Sequence, residues 1–226
     1  MGIVSVEQAD HLYWLGRYSE RVYTTLRYYF QRFDEMIDET IDSYEKYCTS
    51  VDIPNIYTSK EDFLRRYPFD EGNPDSIVSN LNRAYDNAIV LRETIGSEAL
   101  SYIQMAVYDM HRAAASEAPL IELQQVMDHL LAFWGIADDQ IDSEEIRNMI
   151  KAGKRIERID MYARLGMEQK ELLKEVHRMI PRVKRSRIPY DEGKLEEIKS
   201  LVEEEKMDNY RIVAAAEIIL LPFGCA

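Results

Sequence analysis

Apolar residues recur along the first fifty positions at steps of mostly three, four or seven. From Leu12 they run through Leu15, Val22, Leu26, Phe30, Phe33, Ile37, Ile41 and Tyr44 to Cys48. That spacing keeps one face of a helix apolar. No glycine or proline interrupts it between Arg17 and Ser50, so the pattern predicts one long helix from about Val6 to Tyr47. A loop-rich connection follows over residues 48–73, with a short helix at Lys60–Arg66. Asn73-Pro74-Asp75 then reads as an N-cap, a first-turn proline and a first-turn acid.

The next helix carries Ile77, Leu81, Ala84, Ala88, Leu91 and Ile95, and Gly96 ends it. Another carries Leu100, Ile103, Val107 and Met110. Pro119 opens a helix that is apolar around much of its circumference, which predicts a central, well-buried element closed by Gly135. Asp142 with Glu145 forms a variant capping box for a helix to about Leu165. Glu168 to Ile180 is a further helix, stopped by Pro181. Residues 182–226 read as a basic loop (Arg182, Lys184, Arg185, Arg187), a charged helix over Asp191–Met207 and an apolar tail. No strand-like alternation is present. The fold class is all-α, an antiparallel bundle of six to eight helices with a long N-terminal helix.

The length of 226 residues fits a single domain over 1–226. A composition of 46% hydrophobic and 31% charged residues excludes a disordered chain. The net charge of −13 argues against nucleic acid and anionic membrane as partners. Cys48 and Cys225 have no zinc-site spacing and make no disulfide scaffold. No signal-peptide pattern opens the chain, and the run Ile212–Leu221, which contains Glu217, is too short to span a bilayer. A cytoplasmic protein is expected.

One motif repeats. Gly16-Arg17-Tyr18-Ser19-Glu20-Arg21-Val22 aligns with Gly153-Lys154-Arg155-Ile156-Glu157-Arg158-Ile159, and Arg27 then aligns with Arg164. Steps of four and seven put the glycine, glutamate and later arginine of each copy on one helical face. Glu157 lies almost three turns from Ile146, so it points to the core; Glu20 lies at the margin of the Leu15–Leu26 stripe. A buried carboxylate needs a partner. Arg27 and Arg164, or Arg17 and Arg21, supply one, and each glycine lets another helix approach closely. Two readings follow. Paired buried ions more often fix architecture than do chemistry, which puts a register-setting ion network first. The sharper reading is a polar cavity for a small zwitterion, a peptide terminus or a carboxylate.

Other chemistry is sparse. A di-metal bundle needs Glu-x-x-His pairs, and none occurs; His11, His111, His129 and His177 are scattered, so no metal is expected. Nucleophile-elbow and phosphate-loop motifs are missing too, and no cofactor is expected. The aromatic cluster of Tyr13, Trp14, Tyr18, Tyr23, Tyr28 and Tyr29 exceeds what a core stripe requires; a partner interface at Tyr13, Trp14, Tyr18 and Tyr28 competes with ordinary packing. The tail Leu221-Pro222-Phe223-Gly224-Cys225-Ala226 either docks to complete the core or presents Cys225 as a handle to a partner enzyme.

Two stretches resemble the bacterial alpha-E family: Leu12-Tyr13-Trp14-Leu15-Gly16-Arg17-Tyr18-Ser19-Glu20-Arg21, and Asn73-Pro74-Asp75-Ser76-Ile77-Val78 continuing to Asn87-Ala88, Arg92-Glu93 and Ser97-Glu98. The copy around Gly153–Arg158 also fits, and the similarity runs to about Leu165. The resemblance implies an all-helical domain. It also implies an accessory component of circularly permuted ATP-grasp ligases or transglutaminase-like peptidases, hence a role in forming or modifying peptide or amide bonds. Carried over by position, it points to Arg17, Glu20, Arg21, Asn87, Arg92, Glu98, Glu157 and Arg158. Expected partners are an ATP-grasp-type ligase or another pathway protein, with a homo-oligomer open. The alternative is a peptide-terminus or small-molecule binder or enzyme that uses the Glu/Arg cavity.

Overall fold

A computed structural model describes residues 4–38 and 43–220 of the chain, and the side chains of 4–33 and 44–220. Among the described residues there are eleven helices, against the six to eight expected: α1 (Val6–Asp38), α2 (Ser43–Val51), α3 (Lys60–Arg66), α4 (Ile77–Val90), α5 (Arg92–Ile95), α6 (Ser97–Ala115), α7 (Pro119–Gln140), α8 (Glu144–Arg164), α9 (Gln169–Ser186), α10 (Glu192–Glu203) and α11 (Asn209–Glu217). The extra count comes from the short elements α2, α5 and α11; Leu91 separates α5 from α4, and Gly96 ends the stretch as expected. Gly96 has φ 85°, a backbone that suits a residue without Cβ. The all-α class holds; the only extended pairing among the described residues is one bridge between Tyr190 and Leu220.

Several boundaries differ from the sequence reading. The first helix is described over Val6–Asp38, and Tyr44 to Cys48 belong to α2; the part of the expected long helix between them lies outside the described residues. Ser76, not Asn73, caps α4 by accepting from the Ser79 N–H at 3.1 Å, while Asn73 holds the preceding turn through the Asp75 N–H at 3.0 Å. Ser143, not Asp142, caps α8. Hydroxyl and carboxylate side chains compete for the same orphan N–H groups, so the capping residue within such a run is set by local geometry. Gly135 does not close α7, which runs to Gln140. That helix is also less buried than its composition suggests, since Ile121 is 67% and Leu131 50% exposed. Pro181 lies inside α9, so the basic "loop" residues Arg182, Lys184 and Arg185 form its last turns. Cations there favour the negative end of the helix dipole. Arg187 follows in the left-handed region, with φ 57°.

The chain divides into two compact units, one of Met1–Glu20 with Ile141–Ala226, the other of Arg21–Gln140. In the second, α6 and α7 pack as a hairpin along a heptad-like seam. The buried residues recur at steps of three and four on both, Ala99, Ile103, Ala106, Met110 and Ala113 on α6 and Leu123, Val126, Leu130, Phe133 and Ala137 on α7. The same unit holds an aromatic core in which Phe63 and Tyr67 stack at 5.1 Å and Tyr47 and Phe63 lie 5.3 Å apart. In the first unit α8 packs on α9 and α11, and α10 packs on both α9 and α11. Its core includes Leu12, Leu15, Ile156, Ile159, Leu172, Val176, Leu195, Ile198 and Ile212.

Candidate functional site

In the first unit α1 crosses α8 at two glycines. A Cβ on Gly16 would overlap the carbonyl oxygen of Ile150 and stand 3.0 Å from the Lys154 nitrogen. A Cβ on Gly153 would overlap the carbonyl oxygen of Tyr13 and stand 3.2 Å from the Arg17 nitrogen. Each glycine therefore admits the backbone of the other copy's helix, and the two repeats meet almost as mirror duties across one contact. No side chain fits there, because what it would strike is main chain.

One turn further along each helix the repeated glutamates are buried, Glu20 at 0% and Glu157 at 1% exposure. Glu157 Oε2 accepts from Arg17 Nε at 2.6 Å, and Glu20 Oε1 accepts from Arg158 Nε at 2.6 Å. The acid of each repeat is thus bound by a cation of the other. The close crossing makes this possible, because it brings two helices near enough for short, charge-assisted bonds.

The pairs extend into a network. Arg17 also approaches Asp160 at 3.6 Å and donates to the Tyr13 hydroxyl at 3.4 Å. Asp160 is fully buried and accepts from Arg164 at 2.8 Å, and Arg164 reaches Glu217 on α11 at 3.4 Å. Glu175, 2% exposed on α9, gathers Arg155 at 2.5 Å, Arg178 at 3.0 Å and Arg158 at 3.9 Å. Burial, the largest single influence, lowers the pKa of Arg17 and Arg158, but Glu157 with Tyr13 and Asp160 around the first, and Glu20 with Glu175 and Tyr162 around the second, together outweigh it and hold both guanidiniums charged. Lys154 responds in the opposite sense. Burial, reinforced by Arg158 and Arg155 and opposed by Glu20, pushes its ammonium down to about 7. Tyr13 is raised by burial first.

The predicted residues divide by unit. Arg17, Glu20, Glu157, Arg158 and Arg164 belong to this network. Glu20 and Glu157 face each other's arginines rather than solvent. Arg21, Arg27, Asn87, Arg92 and Glu98 belong to the second unit. There Arg27 is exposed and lies over the Tyr23 ring at 5.8 Å. Asn87 donates to the Arg83 carbonyl of its own helix at 2.7 Å, Glu98 accepts from Gln140, and Arg92 is exposed. The expected equivalence of Arg27 and Arg164 fails in its surroundings: Arg164 has a carboxylate one turn before it, Asp160, where Arg27 has Tyr23.

Among the expected interface residues, Tyr13 is 2% exposed and is a core residue, which removes it from that surface. Trp14 and Tyr18 are half-buried and stack at 5.2 Å, with the Arg17 guanidinium 5.2 Å from the indole. Tyr28 is half-buried and stacks on Tyr47 at 5.1 Å. Cys225 lies outside the described residues; Cys48 is buried, and burial raises its thiol to about 11.

Sequence reading missed Lys154, Asp160 and Glu175 as members. Two signals were available. Asp160 precedes Arg164 by four residues, an ion-pair spacing, and Glu175 falls on the apolar stripe of Leu172, Val176, Met179 and Val183. Among the described residues no group of three or more His, Cys, Asp and Glu side chains could hold a metal ion, and no helix is long and apolar enough to cross a membrane.

Residues 7–188 match a family described as a predicted alpha-helical domain with a conserved ER motif, named Alpha-E. Both Glu-Arg dipeptides of this chain, Glu20-Arg21 and Glu157-Arg158, fall inside that match and both place their glutamate in the buried network. No curated protein matches the chain, and no solved structure does. With more than half of its length inside the family's bounds, the chain belongs to the Alpha-E family.

Proposed function

We propose that this chain is an accessory or scaffold protein for an ATP-grasp amide or peptide ligase. One observation supports the accessory role: Glu20 and Glu157 are bound at 2.6 Å by Arg158 and Arg17. Carboxylates held this way set helix register. A general acid or base must instead reach the proton it moves. The ligase as partner follows from the family resemblance, and the function of such a scaffold lies on its outer faces.

The test is co-purification of the full chain with the ATP-grasp ligase of the same host, followed by ATP turnover of the pair. A stable complex, with turnover that depends on the chain, is the expected result. Glu20→Gln should lower stability and lower complex activity only in proportion to folded protein. Substrate turnover by the isolated chain, lost in a folded Glu20→Gln variant, would establish the Glu/Arg cavity reading instead. Absence of any complex would remove the ligase from the proposal.

A further inference from the structure

Charge is unevenly placed along this chain. Residues 144–187 hold 13 of its 28 basic residues but only 7 of its 41 acidic ones. On α9 the exposed positions include Lys170, Lys174, His177, Arg178, Lys184 and Arg185. Their spacing puts them on one stripe, and α9, at 18 residues, carries it over about 27 Å. Arg178 is held by the buried Glu175 at 3.0 Å, while the other ion pairs along the stripe are loose and exposed: Lys174 to Glu171 at 3.5 Å, Lys184 to Glu192 at 3.4 Å and Arg185 to Glu144 at 3.6 Å. Such pairs contribute little and exchange readily for others.

The neighbouring segment has the opposite sign. Residues 192–208 carry 7 acids and 3 bases. Glu196, Glu203, Glu204 and Glu205 are exposed, and Tyr210, just beyond them, is 90% exposed. Since α10 packs on α9, a positive and a negative strip lie on adjacent helices of one unit. A two-fold axis that lays α9 of one copy against α10 of another matches plus to minus twice, which is the requirement of an isologous contact. Tyr210 adds an aromatic side chain of the type that anchors interfaces. The net charge of −13 does not prevent this. At physiological ionic strength the screening length is about 8 Å, so distant repulsion is damped while contact pairs persist.

We propose that the basic stripe of α9 and the acidic strip of α10 and the residues that follow it (Glu196, Glu203, Glu204 and Glu205), with Tyr210, form a self-complementary surface through which two copies of this chain pair. The ligase reading is not needed for it. Sedimentation equilibrium of the full chain tests it at about 0.15 M and about 1 M salt. A dimer is expected at the lower salt, with a dissociation constant at least tenfold larger at the higher. Lys170→Glu with Lys174→Glu should give a monomer, as should Glu204→Lys with Glu205→Lys. An equal mixture of the two variants should dimerise again, because the swapped charges now meet. A wild-type monomer at both salts, a dimer indifferent to the reversals, or a mixture that stays monomeric would each overturn the proposal. Binding of poly-L-glutamate by a monomeric chain would assign the stripe to an acidic partner instead.

Discussion

Glu157 occupies the core face of α8 with 1% of its surface exposed, and its charge there depends on Arg17. Removing either partner deprives the other of its closest buried counter-charge, although Arg17 keeps Asp160 at 3.6 Å. Glu157→Gln or Arg17→Met should each lower the unfolding free energy by about 3–5 kcal/mol, and the double variant should lose less than the two together. Urea denaturation of the three variants measures this; additive losses would mean the pair is not coupled. Lys154 offers a second test at this scale. Its folded pKa, near 7, lies below the ordinary 10.5. Between those values the unfolded chain binds more protons, so this group makes stability rise with pH. From pH 7 to 9 the wild type should gain about 1–2 kcal/mol relative to Lys154→Met. A pH-independent difference between the two would show that Lys154 is charged throughout.

At the scale of elements, the two glycines that matter are those at the α1–α8 crossing. Gly153→Ala drives a methyl into the Tyr13 carbonyl and the Arg17 nitrogen, which are backbone and yield only if the helices part. A loss of about 2–3 kcal/mol is expected. Gly135, inside α7, has nothing within 4 Å of its missing Cβ. Gly135→Ala should therefore stabilise by about 0.5–1 kcal/mol through helix propensity alone. Thermal melting of both variants gives opposite signs if the crossing is as tight as the geometry requires. Gly153 was legible as a packing glycine because it recurs one turn before each glutamate. Gly135 was misread as a stop, since glycine ends helices often enough to outweigh the apolar residues on either side of it.

For the whole molecule, the family match stops at residue 188, yet the first unit does not. Leu195, Ile198, Leu201, Val202 and Ile212 are buried, and α11 packs on α8 beside the ion network. Gln169 donates to the carbonyls of Val202 and Glu204, each at 2.9 Å. Truncation after residue 188 should thus expose an apolar face and weaken Arg164, which loses Glu217. The expected outcome is a chain that aggregates or melts well below the full protein, read by light scattering and circular dichroism. A truncated chain as stable as the full one would show that α10 and α11 are appendages.

The helical periodicity by itself determined the all-α class, most element positions and the core placement of Glu157, because the apolar stripe of a helix is written in local spacing. The repeat likewise announced two equivalent faces. Local spacing carries no record of which distant helix a face meets. Only the tertiary structure decided that the repeats bind each other, Glu20 to Arg158 and Glu157 to Arg17, across residue separations of 138 and 140. It also decided that Asp160 and Glu175 join them while Arg27 remains at the surface. Those choices belong to the glycine-lined crossing, where two backbones come close enough for buried charges to find their partners.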